Sequence, residues 1–274
     1  MDIQQALDAL KLAREHSKKR NFAQSVDLII NLKGLNLKKP EENILQFVTL
    51  PKFKGKDNKI AGLVGNDLQT EAKKHCNFVI HKDEFSSYSN DPRKTKKMAK
   101  QFNFFIAQAN LMPDIAKHFG KILGPMGKMP NPKAGAVIPS TIPSLEPIVK
   151  KLKNAVRIQT KNEQVIKAAV GIDGMKEEDI AENAIAVYNS VYHEVHEDKS
   201  KIKSVVLKFS MGRPFVVGKK YSEEELKQPF KKDQKKKVNK QPLTQEEKKT
   251  NGKIKKEPTK KIKEKPVKQK GEGK

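Results

Sequence analysis

Strands of two kinds can be read in this sequence, and the order in which they appear restricts the fold more than any other feature. Val26, Leu28, Ile30 and Leu32 alternate with Asp27, Asn31 and Lys33, broken only by Ile29. This is the period of a strand with one face in a core and the other in water. Residues 44–50 predict a second such strand, antiparallel to the first and ended by Pro51. The same style returns in Val156 and Ile158 against Arg157 and Gln159, in residues 164–170, and in Val205, Leu207 and Phe209. Between these lie short continuous apolar runs at 60–64, 78–80 and 104–107, each followed by a helical segment, near 67–75, 91–101 and 112–119. That alternation predicts a small α/β unit with a mostly parallel sheet. The expected fold class is therefore α/β and α+β in two domains. A split terminal domain takes residues 1–56 and 151–220, and a second domain is inserted at 57–150. Two chain crossings would then act as a hinge.

Helices complete the terminal part. Ile3, Ala6, Leu7, Leu10 and Ala13 fall at helical spacing within residues 2–19, with Lys18, Lys19 and Arg20 closing the last turns, where cations suit the dipole. Residues 143–153 predict a helix capped at Thr141 or Ser144. Ile180, Ala184, Val187, Val191 and Val195 share one face of another, with Glu177, Glu178 and Asp179 in its first turn.

The chain carries 57 Lys+Arg against 32 Asp+Glu, a formal net charge of +25. Residues 221–274 hold 19 lysines and nine acids, or +10, leaving +15 on residues 1–220, so both parts are basic. Such a field favours a nucleic acid or an anionic surface. From Tyr221 onward the composition is Lys, Glu, Gln and Pro with few apolar residues, too few to offset the entropy of ordering, which predicts a disordered Lys-rich tail. No apolar run approaches a membrane span and no signal-type segment opens the chain, which predicts a cytoplasmic protein.

Cys76 is the only cysteine, which excludes an internal disulfide and any multi-cysteine zinc site; beside Phe78, Val79 and Ile80 it reads as a small buried hydrophobe. His193 and His196 could share a helix face, but Glu194 and Glu197 read equally well as a solvated helix end. Gly62 and Gly65 lack the Gly-x-Gly-x-x-Gly spacing of a dinucleotide site, so no cofactor is expected.

One stretch, Gly124 to Pro132, is dense in backbone punctuation, with three prolines and two glycines, and is expected to be neither helix nor strand. With Lys128 inside it and Lys133 just beyond, it reads as a rigid basic loop suited to an anionic partner. Its string, Leu123-Gly-Pro-Met-Gly-Lys-Met-Pro-Asn-Pro, resembles the signature loop of the large-subunit ribosomal protein L one family in its archaeal form. Two further blocks support the resemblance, Lys19-Arg20-Asn21-Phe22-Ala23-Gln24-Ser25 and Ser210-Met211-Gly212-Arg213-Pro214. Met126 departs from the family's usual arginine, and Ser210 from its usual threonine. The resemblance covers nearly all of residues 1–220.

It implies a terminal domain that binds the mobile stalk of large-subunit ribosomal RNA, and an inserted Rossmann-like, three-layer α/β domain with the signature loop near the hinge. Carried over residue by residue, Phe22, Gln24, Ser25, Asp27, Ser210, Met211 and Gly212 form the RNA surface, with Lys128 and Lys133 as a secondary contact. Strand pattern alone puts Phe22 in the core. The resemblance also implies a structural constituent of the large ribosomal subunit with no catalysis. It implies a stalk that moves as deacylated transfer RNA leaves the exit site, and a capacity to bind the chain's own messenger RNA and repress translation. The competing reading is a polycationic chaperone that binds any nucleic acid through charge alone. An α/β enzyme would need a convergent nucleophile, base or phosphate loop, and the sequence offers none.

Overall fold

The computed structural model describes residues 1–226 except 38, 40–41, 140–143, 161, 196–197 and 223–224. The expected cap at Thr141, His196 and Glu197, and nearly all of the expected disordered tail lie outside the described residues. By its internal contacts the chain divides at Lys220 into Met1–Lys220 and Tyr221–Lys274.

The first of these units is mixed α/β, with antiparallel and parallel sheets segregated along the chain. Strand β1 (Ser25–Leu32) lies between β8 (Val165–Ile172) and β9 (Ile202–Phe209), antiparallel to both, and β10 (Phe215–Val216) extends the far edge of β9. The inward positions of β1 alternate without a break, so Ile29 is a half-buried residue on the outer face and not a change of register. Helix α1 (Ile3–Glu15) and helix α7 (Glu177–Glu194) pack together, α1 also meeting β9 and α7 meeting β1 and β8. Ala6, Leu10 and Ala13 are buried on α1, and Ile180, Ala184, Val187 and Val191 on α7, as their spacing requires, but Leu7 is half-buried and Ile3 at the end of α1 is exposed. Burying each large aliphatic side chain there contributes about 1.5–3 kcal/mol.

Strand β2 (Leu45–Thr49) pairs with β7 (Ala155–Gln159), not with β1 as expected. Both edges of β1 are already occupied by β8 and β9, so the second half-buried strand finds its partner elsewhere. Helix α1 also ends earlier than its basic run suggests, at Glu15, with His16 as its C-cap. Lys18, Lys19 and Arg20 therefore belong to the loop after it.

The parallel sheet has the order β4-β3-β5-β6: β3 (Ile60–Val64) and β5 (Phe104–Gln108) in the middle, β4 (Phe78–His81) and β6 (Val137–Ile138) at the edges. The two central strands are apolar on both faces because both faces are covered. Ala61, Leu63, Phe105 and Ala107 face α3 (Phe85–Asn90), α4 (Pro92–Gln101) and α5 (Met112–Met126), whose Phe85, Tyr88, Met98, Ile115 and Phe119 fill the same cluster. Ile60, Val64 and Ile106 face α2 (Gln69–His75) and α6 (Glu146–Lys153) through Ala72, Val149 and Leu152. Gly62 lies inside β3 near the α2 layer, where an added Cβ would stand 3.5 Å from Cys76 Sγ, an ordinary contact.

The Pro/Gly stretch corrects one expectation. Its first three residues complete α5, which runs through Pro125 to Met126. The helix stops at Gly127 (φ 63°), whose N–H donates to the Gly124 carbonyl at 2.8 Å, while the Lys128 N–H donates to the Leu123 carbonyl at 2.9 Å. These two bonds are a Schellman stop, and glycine is there because the left-handed conformation has no steric cost for it. Proline is tolerated in the last turn, where it removes one amide donor. Farther on, the Asn131 side chain accepts from the Lys133 N–H at 2.9 Å and starts a single 3-10 turn at Pro132–Ala134.

Candidate functional site

Three places in the sequence converge at one end of the first sheet. The antiparallel register sets Val26 opposite Phe209 and Asp27 opposite Lys208, which brings Ser25 beside Ser210 although 185 residues separate them. The Ser210 N–H donates to the Ser25 carbonyl at 2.9 Å, the two hydroxyls hydrogen-bond at 2.7 Å, and the Ser210 hydroxyl also donates to Asp27 Oδ2 at 3.1 Å. Lys208 Nζ reaches the Ser210 carbonyl at 3.4 Å. All four side chains lie on the outward face of the sheet and are half-buried. The result is a row in which two hydroxyls can donate and accept and a carboxylate accepts, beside a lysine that donates.

Phe22 and Met211 stand on either side of this row in sequence, each on the loop leading to or from its strand. They are 57% and 63% exposed, so neither is a core residue. Each is a large apolar side chain left in water on a short loop beside the row. Gly212 follows Met211 in a tight turn closed by its N–H on the Phe209 carbonyl at 2.8 Å. An added Cβ there would stand 3.1 Å from Phe209 Cβ, tighter than an ordinary contact, so that side chain would have to give by a few tenths of an ångström.

Gln24 differs from the other six expected residues. It is 3% exposed, and its side-chain amide donates to the Ser17 hydroxyl at 3.3 Å and lies 3.5 Å from the Lys18 carbonyl. It therefore shapes the loop at 17–24 from inside. That loop borders an open cleft of about 790 Å³ lined by Lys18, Lys19, Arg20 and Phe22 on one side and Asp173 and Gly174 on the other. Arg14 fixes the far wall, donating to the Asp173 carbonyl at 3.1 Å and pairing with Glu177 at 3.1 Å. Sequence reading misses Lys208, whose signal is its period-two position beside Ser210. It also misses the cleft, because the basic run at 18–20 reads as a helix end.

The two secondary residues part company. Lys128 Nζ donates to the carbonyls of Ala99 and Phe102 at 2.7 and 2.6 Å, closing the end of α4. Burial, with a smaller effect from Arg157, holds that ammonium below the ordinary lysine range. Lys133 is exposed. Arg157 of β7 hydrogen-bonds to the Gly127 carbonyl, and Phe47 of β2 meets Phe104 of β5 edge-on with ring centroids 6.0 Å apart. Residues of both contacts line a cavity of about 200 Å³, together with Met126, Lys128 and Met129. In the link before β3, Lys54 Nζ donates to Asn58 Oδ1 at 2.7 Å, and Asn58 Nδ2 donates to the carbonyls of Leu152 and Ala155 at 2.9 and 2.8 Å. The chain at 54–58 is thus tied to the chain at 152–155.

Fold and surface together define a basic, mixed α/β protein with a hydrogen-bonded polar row on the outward face of its first sheet. The profile of the Ribosomal protein L1p/L10e family matches residues 13–213, and the chain belongs to that family. It is 43% identical over 211 residues to the large ribosomal subunit protein uL1 of Pyrococcus abyssi, covering 77% of this chain and 94% of that one. The protein of the same name from Methanothermobacter thermautotrophicus is 38% identical over 210 residues, 76% of this chain and 96% of its own. That of Methanothermococcus thermolithotrophicus is 39% identical over 219, covering 80% and 100%.

Proposed function

We propose that this chain is a non-catalytic constituent of the large ribosomal subunit, and that it grips the mobile stalk of large-subunit ribosomal RNA with the end of its first sheet. The observation that carries this reading is the convergence of Ser25, Asp27 and Ser210 into one hydrogen-bonded row flanked by exposed Phe22 and Met211. Hydroxyls and a carboxylate at fixed spacing suit 2′-hydroxyls and base edges, and the two apolar groups suit unstacked bases or sugar faces. Lys18, Lys19, Arg20 and Lys208 supply phosphate attraction around the row. Gln24 acts by holding the loop, and Lys133 is the secondary contact. The matched relatives carry the ribosomal name, which supports the assignment to the subunit.

Within this reading, residues 57–150 form a domain inserted into one made of residues 1–56 and 151–220. The separation of the parallel from the antiparallel strands supports the partition. Movement of the stalk that lets deacylated transfer RNA leave the exit site, and repression through the chain's own messenger RNA, follow as finer roles of the same surface. Binding measured against salt tests the core of the proposal. The full chain is expected to keep a marked preference for stalk RNA over unrelated RNA at moderate salt, because packed groups add to charge. Equal affinity for both, falling together as salt rises, would favour the polycationic reading instead.

A further inference from the structure

The densest cationic face outside the row just described is on α4. Its inward side is Thr95, Met98 and Ala99, while Arg93, Lys94, Lys96, Lys97 and Lys100 are all exposed. Some cations on other helices are matched: Arg14 with Glu177 at 3.1 Å, Lys74 with Glu71 at 3.0 Å, Lys150 with Glu146 at 2.6 Å. Among the described residues no carboxylate pairs with the five on α4, and Lys94 instead lies 4.4 Å over the Tyr88 ring. Arg93, Lys96, Lys97 and Lys100 are neighbours at three- and four-residue spacing, so they repel one another on the free protein. The helix stands against that repulsion through its buried side and through Asp91, which accepts from the Arg93 and Lys94 amides at 3.0 and 3.1 Å.

The C-terminal end of this cationic stripe leads to an aromatic platform. Phe102, two residues past Lys100, is buried, and Phe78 at the start of β4 stacks on it with centroids 5.6 Å apart and planes 19° apart. Phe78 remains 37% exposed. The strand starts around it are fixed: the Ile60 N–H donates to Asn77 Oδ1 at 2.9 Å, and the Lys59 N–H to Asn103 Oδ1 at 3.2 Å. We infer that α4 and Phe78 form a second RNA contact, in which Arg93, Lys96, Lys97 and Lys100 take the phosphates of an unpaired segment and one base stacks on Phe78. A row of cations ending at a rigid exposed ring is the combination that single-stranded nucleic acid selects. A membrane surface fits less well, since the apolar side of α4 is in the core and none of it is left to enter lipid. The inference rests on the RNA-binding reading, and it places the contact on the parallel sheet, away from Ser25 and Ser210.

The test uses the full chain and a stalk RNA carrying its adjoining unpaired nucleotides. The variants are R93Q/K96Q/K97Q/K100Q and F78L, which keep helix propensity and apolar packing, with Met211→Ala alongside. The fourfold variant is expected to flatten the plot of log affinity against log salt by about 3, at roughly 0.7 per single-strand phosphate contact. F78L is expected to lose about tenfold in affinity with the salt slope unchanged. An unchanged slope in a folded fourfold variant overturns the inference. So does a loss confined to phosphatidylserine vesicles. Weakening by Met211→Ala without any effect of the α4 variants would overturn this contact alone. The reverse pattern would support α4 and remove the hydroxyl row from the RNA surface.

Discussion

Phe22 and Met211 are the residues most open to two readings. At the start of a strand with strict alternation, Phe22 has the pattern of a core residue, yet the strand begins at Ser25 and leaves it in water. If the proposed surface is right, Phe22→Ala and Met211→Ala each lower affinity for stalk RNA by about tenfold, while the weaker binding to unrelated RNA and the melting temperature stay near wild type. Isothermal titration with both RNAs separates the two effects, and unaltered stalk binding by both variants would exclude them from the site. Cys76 makes a prediction of another kind. Burial pushes its thiol up to about 11 from an ordinary 9.0, with Lys153 opposing the shift. The fold therefore favours the neutral thiol. That contribution is complete below about pH 9 and is lost as pH rises through about 11. Alkylation of native protein at pH 8 should run at least about tenfold slower than in denaturant, and Cys76→Ala should flatten the alkaline fall in stability. Equal alkylation rates would show the thiol to be solvated.

Among the elements, the end of α5 shows how a sequence signal can be right about chemistry and wrong about conformation. Three prolines and two glycines argue against regular structure, but Gly124 and Pro125 sit in the last helical turn and only Gly127 needs the left-handed region. Gly127→Ala should cost about 1–2 kcal/mol for that conformation and displace the Arg157 guanidinium from the Gly127 carbonyl. Lys128→Met, which leaves the Ala99 and Phe102 carbonyls without their donor, should cost about 1–3 kcal/mol. Thermal denaturation measures both, and a neutral Lys128→Met would return that lysine to the RNA contacts. The elements legible in advance are those with a strong period: β1, α7 and the apolar runs of β3 and β5. The pairing of β2 is not, because alternation tells which face is buried and says nothing of which strand lies alongside. Nor is α3, whose Phe85 and Tyr88 are too few to declare a period.

At the scale of the whole molecule, two strand styles become two kinds of sheet, and that correspondence is readable from burial pattern alone. The polar row is readable only in part. Ser25 and Ser210 become neighbours through antiparallel register, which no local window contains, and the resemblance to a known family supplies their association. If residues 57–150 are a true insertion, replacing them with a short linker should leave a folded protein that binds stalk RNA within about tenfold of the full chain. Loss of binding by a folded deletion would move the main grip to the parallel part. The most direct measurement is hydroxyl-radical footprinting of the full chain on its own large-subunit RNA at moderate salt. A grip through the hydroxyl row predicts protections concentrated in the mobile stalk that fade with Met211→Ala. Protections spread evenly over the RNA, or unchanged by that substitution, would contradict it.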